Sequence, residues 1–443
     1  MKIQLSDHFT YKKLLKFTLP SIVMMVFSSI YGVVDGFFVS NFAGELEFKA
    51  VNFIMPVIMI LGAIGFMLGA GGSALISKTL GERKKERANG IFSFTVYISI
   101  ILGAILAALG IIFLRPVATM LGAGAMLENC VIYGTIILLA LPFFMLQMEF
   151  QSLFVTAEKP QLGLYVTVGA GVANMVLDAL FIGVFRWGIV GAASATALSQ
   201  VIGGLLPIIY FARKNNSLLR LQKPLLDFRS LWKICTNGSS ELMTNISLSV
   251  ITILFNYQLL IYAGEDGDGI AANGVLMYVG FIFISIFIGY AIGVSPIVGY
   301  HYGAKNHKEL SGLLKKSMMI IFVISISMFI LGEGLAVPLS KLFVGYNPVI
   351  LDMTIRAFRL YSFCFLIVGF NIFGSSFFTA LNNGLVSAIL SFLRLFLFQA
   401  VTVIVMPLFM DLDGIWLSST ASEIMAIITT FIFILALRKR YKY

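Results

Sequence analysis

Apolar residues fall in twelve long runs, roughly 14–42, 50–77, 90–114, 130–156, 161–185, 189–212, 231–263, 271–300, 316–338, 355–380, 384–410 and 414–437, each closed by charge, glycine or proline. About 20 apolar residues carry a helix across the hydrocarbon core of a bilayer, so the pattern predicts twelve transmembrane spans in an all-α integral membrane protein. The first run is too long for a signal peptide and lacks a cleavage site, so it is expected to remain as a span. The longest polar connection, about 213–230, separates six spans from six. It predicts an N-lobe of residues 1–222 and a C-lobe of residues 223–443.

Composition agrees with the membrane as solvent: 59% of the 443 residues are hydrophobic and 12% are charged, with a mean hydropathy of +0.96. Soluble domains carry about twice that share of charge. The three cysteines, Cys130, Cys235 and Cys364, are scattered over different runs and are expected to pack rather than to form a disulfide framework. A net charge of +10 could point to nucleic acid, but the basic residues stand in short blocks between apolar runs, and no nucleic-acid partner is expected. Counted by side, 24 of the 31 Lys and Arg residues share the side of the termini, whereas the opposite loops hold Glu265, Asp266, Asp268, Asp411 and Asp413. The positive-inside rule then places both termini in the cytoplasm and the chain in the cell membrane.

The two halves resemble each other. At an offset of 222, Ala50, Val57, Ile60, Ile64, Gly71, Ser73 and Gly81 pair with Ala272, Val279, Ile282, Ile286, Gly293, Ser295 and Gly303. Gly81 and Gly303 each end the second span of their half and open a basic loop. Gly188-Ile189 and Gly414-Ile415 open the sixth spans at offset 226. Six spans per copy give both copies one orientation, related by an axis along the membrane normal, and transporters built this way hold substrate between the halves. A channel would more often be an oligomer of smaller units, so a monomeric transporter is expected.

Ionisable groups inside spans cost a few kcal/mol on insertion scales and point to function. The candidates are Asp35, Glu149, Asp178, Glu241, Glu333, Arg394 and Glu423. Asp35, Asp178, Asn174 (one helical turn before Asp178), Thr196 and Tyr133 all fall in the outer half of their spans in the first lobe. Two carboxylates, an amide and a hydroxyl supply hard oxygen ligands for a small cation. Polar residues that merely join helices are the competing explanation, strongest for Thr196 and Tyr133 taken singly.

Leu19-Pro20 through Tyr31-Gly32-Val33-Val34-Asp35, Gly69-Ala70-Gly71-Gly72 to Leu80-Gly81, and Asn174-Met175-Val176-Leu177-Asp178 followed by Gly191-Ala192-Ala193-Ser194-Ala195-Thr196 resemble the multidrug and toxic compound extrusion (MATE) family, in its DinF-like and MepA-like prokaryotic branch. The resemblance covers nearly the whole chain. It implies two six-helix lobes around a central cleft and efflux of organic cations or amphiphiles in exchange for protons or sodium, with no cofactor. It also implies an N-lobe cation site at Asp35, Asn174, Asp178, Thr196 and Tyr133, with sodium at the first four if a metal binds, and a bend in the first span at Pro20.

The second lobe departs from the family pattern. Some members couple through carboxylates in the seventh and tenth spans, but here the tenth has none at mid-depth, only Arg356 and Arg359 near its outer end. The repeat partners of Asp35 and Asp178 are Tyr257 and about Ile404, so cation coupling is expected in the first lobe alone. Glu241, with Asn245 four residues on, could couple, gate or pair. Arg394 lies about 15 Å deep at 1.5 Å per residue and needs a carboxylate or a wet cleft, with Glu241 and Glu423 at compatible depth. Glu149 and Glu333, toward span ends, are expected to reach water. Gly81 to Arg87 lacks the acidic and glycine spacing of the major facilitator loop, and there is no phosphate-binding glycine loop. His8, His301 and His307 are widely spaced on the terminal side, without an enzyme motif, so no enzyme is expected. The alternative is a lipid-linked oligosaccharide flippase of the same architecture. Such a protein tends to have a strongly cationic cleft, whereas the cleft candidates here are mainly acidic.

Overall fold

The computed structural model describes residues 3–224, 226–264 and 268–443; Glu265 and Asp266 lie outside the described residues. Every regular element among the described residues is helical. The first half comprises α1 (Tyr11–Phe38), α2 (Glu45–Gly81), α3 (Lys85–Met120), α4 (Leu127–Leu139), α5 (Leu141–Thr156), α6 (Pro160–Asp178) and α7 (Gly188–Ala212). The second comprises α8 (Phe228–Ala263), α9 (Asp268–Gly303), α10 (His307–Val344), α11 (Pro348–Ser362), α12 (Phe365–Ala380), α13 (Gly384–Phe392), α14 (Gln399–Val405) and α15 (Pro407–Tyr441). With α4–α5, α11–α12 and α13–α14 each counted as one span, the twelve expected crossings are present.

Two of those crossings are broken rather than continuous. The fourth bends by 59° at Ala140, and the tenth by 52° between Ser362 and Phe365. Ala140 and Ser362 stand 222 residues apart, the offset of the sequence repeat. Pro142 has no N–H to offer Leu138, and the Ser362 hydroxyl donates back to the Arg359 carbonyl, so each break has a local cause. Three spans also carry a π turn, at Val39–Ala43, Ala179–Val184 and Leu393–Phe398. The last helix kinks near its start, where Asp411 adopts φ 47° and ψ −134°. Pro20 sits inside one continuous α1 and removes the donor that the Lys16 carbonyl would otherwise receive.

The interior of the described residues holds two large apolar clusters and a small third one of Ala272, Val344 and Ile350. One large cluster runs from Val39 to Ile234, and the other draws on α8 to α15 together with Leu5, Phe9, Leu14, Phe17 and Val155. Large side chains such as Ile112, Phe113, Ile253 and Leu435 stay exposed on the outer surface, as lipid-facing residues do.

The two halves meet on the terminal side, and the repeated glycines set how closely. A Cβ at Gly81 would lie 2.0 Å from the Tyr300 carbonyl oxygen, and one at Gly303 would lie 2.0 Å from that of Lys78. Since 78 and 300 also differ by 222, α2 and α9 touch through reciprocal, two-fold-related surfaces. Gly71 meets the Ile234 carbonyl and Gly238 that of Met67, each at 1.9 Å from the added Cβ, while Gly289 and Gly293 receive Ile22 and Thr18 of α1. These glycines therefore allow backbone-to-backbone approach across the interface. Gly81→Ala is expected to wedge this side open. A cysteine at the fully buried Ser77 should then react with a membrane-impermeant thiol reagent at least about tenfold faster than in the parent. An unchanged rate would show that the contact yields without opening.

Candidate functional site

The five N-lobe polar residues converge although they come from four helices. Asp35 lies four residues before the π turn that ends the first span, and the Val39 N–H bonds back to its carbonyl. Asp178 is the last residue of α6, at the mouth of the second π turn. A π turn shifts helical phase by one residue, which changes the face on which following side chains stand. The Asp35 carboxylate faces Asp178 and Asn174, and the Thr196 hydroxyl of α7 approaches Asp35 Oδ1 at 3.5 Å. Tyr133 of α4 stands beside Thr196 and both carboxylates.

Asp178 is wholly buried, Asn174 and Tyr133 are 1% exposed, and Asp35 is half-buried. No donor reaches either carboxylate oxygen of Asp178, and the Asn174 amide nitrogen has no partner. Asn oxygen and nitrogen are interchangeable by a flip, so this amide can turn its oxygen to the same space. Two opposed carboxylates, one of them with both oxygens orphaned, an amide and a hydroxyl fit a proton or a small hard cation. Among the described residues no group of three or more His, Cys, Asp and Glu could hold a metal, so a metal there would depend on the amide and hydroxyl as well. Sequence reasoning missed Tyr31, one turn before Asp35, whose hydroxyl lies beside Ser28 and Gln147. Its i−4 spacing from Asp35 was the available signal.

A second polar group belongs to the other half. Arg394, the second residue of the third π turn, donates from Nε to Glu423 Oε1 at 2.7 Å. Both side chains are largely buried, 13% and 6% exposed. Asn371 of α12, absent from the sequence reading, donates to Glu423 Oε2 at 2.6 Å and to its carbonyl at 3.0 Å, and it accepts from Thr430 at 3.0 Å. Glu241 shares a cavity with this pair, between α2 and the second-half helices, with Phe66, Phe255 and Phe281 among its walls. Asn245 instead turns its amide to the Glu241 carbonyl at 2.9 Å, within its own helix, and does not join the Arg394 network. Arg394 thus has a carboxylate partner and also borders the cleft.

Two expectations need correction. Glu149 does not reach water: the break at Ala140 makes α5 a separate helix enclosed by α2, α3 and α7, and Glu149 is fully buried at its middle, accepting from Ser99. Glu333, by contrast, keeps part of its surface exposed and also accepts the Ser362 hydroxyl at the break of the tenth span. The cleft is of mixed charge rather than mainly acidic, because Arg394 offsets one of its two glutamates and Asp35 and Asp178 are not among its walls.

A two-lobed bundle of twelve spans, with buried carboxylates in one lobe and a cleft against the other, defines a multi-pass membrane protein of the transporter type. The MatE family profile matches residues 20–180 and 242–405, well over half the chain, and the chain belongs to that family. It is 26% identical over 369 residues to the multidrug export protein MepA of Staphylococcus saprophyticus, covering 81% of this chain and 80% of that protein. It is 27% identical over 373 residues to the protein of the same name from Staphylococcus aureus strain NCTC 8325, with the same two coverages. A crystal structure of MATE in complex with MaL6 superposes with a TM-score of 0.93, at 23% identity and 98% coverage of each chain. A multidrug resistance MATE family transporter in an outward-facing conformation gives 0.92, at 23% identity and covering 98% of this chain and 97% of that one.

Proposed function

We propose that this protein is a multidrug efflux transporter of the cell membrane, exporting cationic or amphiphilic compounds in exchange for protons or sodium by alternating access. Membership of the MatE family and the MepA relatives support the efflux function. The opposed Asp35 and Asp178 carboxylates are the observation that carries ion coupling. The basic excess beside the termini supports a cytoplasmic location for them. With the halves in contact on that side, the chain corresponds to an outward-facing state.

Two ionised carboxylates in a dry site repel and are poorly solvated; a proton or sodium ion removes that cost and favours a closed site. α1 carries the change, because it holds Asp35 at one end and Thr18, Ser21 and Ile22 against Gly289 and Gly293 of the other half near its start. Pro20 lies among those contact residues, where the missing N–H weakens the helix. Aromatic walls suit the apolar body of an amphiphile, and Glu241 suits its cationic group. Low pH or high sodium should lower drug affinity in the detergent-solubilised protein, and Asp35→Asn should remove most of that dependence. Drug binding indifferent to both ions would rule out the coupled mechanism. Proteoliposomes loaded with a fluorescent cation, under an imposed sodium or proton gradient, identify the coupling ion by which gradient drives the flux.

A further inference from the structure

Residues 3–10, before α1, are not a loose tail. The Leu5 N–H donates to Glu158 Oε1 at 2.8 Å, in the turn between α5 and α6 of the first half. Four residues on, the Phe9 N–H donates to Glu309 Oε1 at 2.9 Å, and His8 Nδ1 meets Glu309 Oε2 at 2.6 Å, on α10 of the second half. Lys316, also of α10, donates to the Phe9 carbonyl. Leu5 and Phe9 have no exposed surface. They share an apolar cluster with Val155 of α5 and Leu310 and Leu313 of α10, and Phe9 meets Phe17 and His301 edge-on at 6.0 and 6.5 Å. Around the first anchor, Gln4 and Asp7 close a turn on each other, and Asp7 pairs with Lys13 at 2.7 Å.

Glu158 lies in the turn that closes α5, where its N–H bonds back to the Val155 carbonyl. It sits at φ 57°, a conformation that glycine takes without strain and other residues rarely adopt. Glycine at that position would have no carboxylate to hold the Leu5 N–H. Asparagine also takes the left-handed region with little strain, yet its shorter side chain would not span the same distance.

We propose that residues 3–10 form a strap that ties the two lobes together on the terminal side and holds that side closed. The proposal rests on the alternating-access reading above, in which this side must open once per cycle. A segment hydrogen-bonded to both lobes stabilises only the state in which both anchors are within reach of its eight residues. Its release is therefore a necessary step of opening, and its strength sets the balance between the two states.

Spin labels on cysteines at the exposed Lys214 and Lys439, one in each half, test this by distance measurement in nanodiscs of the full-length protein. Glu158→Gln with Glu309→Gln is expected to raise the ratio of long to short distances roughly tenfold, because glutamine still accepts from the Leu5 and Phe9 N–H groups but without the charge that strengthens each bond. Deletion of residues 2–9 is expected to do at least as much, and the point variants keep the test open should the deletion fold poorly. Gly81→Ala serves as a strap-independent way to open the same side. Long distances in Gly81→Ala but a parental distribution in both strap variants would overturn the strap. If no variant ever populates long distances, the alternating-access reading fails and the strap fails with it.

Discussion

Asp178→Asn and Asp35→Asn are each expected to lower gradient-driven efflux by about a hundredfold, the upper range of coupling free energies between sites, while the protein stays folded in the membrane. Asparagine preserves size and hydrogen-bonding shape but cannot alternate between a charged and a neutral or ion-paired state. Neither oxygen of Asp178 has a donor, so the amide forfeits no existing bond there. Unfolding temperature in detergent should accordingly change little, which separates a coupling defect from a folding defect. Parental efflux in either variant would remove that carboxylate from the coupling mechanism. Thr196→Ala, which loses only a 3.5 Å contact to Asp35, should have a much smaller effect in the same assay.

Arg394→Ala is expected to be the most destabilising single change in the second lobe. It strands Glu423 as a buried carboxylate with Asn371 alone, and breaking a buried pair in this way costs about 3–5 kcal/mol. Arg394→Met combined with Glu423→Gln should recover most of that loss, because no uncompensated charge remains. A cycle over the two positions should therefore show a coupling of roughly 2 kcal/mol, read from thermal inactivation rates in detergent. The corresponding cycle with Glu241→Gln should show a smaller coupling, since Arg394 bonds to Glu423 and only shares the cavity with Glu241. Additivity in the Arg394–Glu423 cycle would instead mean that water in the cleft solvates both groups.

Much of this protein is legible in its sequence because membrane insertion is a local property. A run of about 20 apolar residues specifies a span by transfer free energy alone, and basic blocks at alternate ends mark the sides. The repeat offset of 222 was visible through Gly71, Gly81, Gly293 and Gly303, and the polar residues of the N-lobe stood out because an apolar solvent makes them costly. Their common depth followed from span boundaries. The breaks at Ala140 and Ser362 were not legible: apolar runs continue straight through both, and Pro142 sits where a proline is also compatible with a continuous span. That omission is why Glu149 was expected at a rim when it lies inside.

What the tertiary structure decided is lateral. Depth left Glu241 and Glu423 as equal partners for Arg394, and only the placement of α15 beside the π turn selected Glu423 and added Asn371. The repeated glycines could be counted in the sequence, but their reciprocal contacts with Tyr300 and Lys78 arise only when α2 and α9 lie together. The eight residues before α1 carry too short a pattern to predict anything, and their anchors, Glu158 and Glu309, lie 153 and 300 positions away from Leu5 and Phe9. Hydrophobic periodicity and charge act within one segment and are written into it. The choice of neighbour among twelve similar helices is made by packing between segments distant in the chain, a property that no single segment contains.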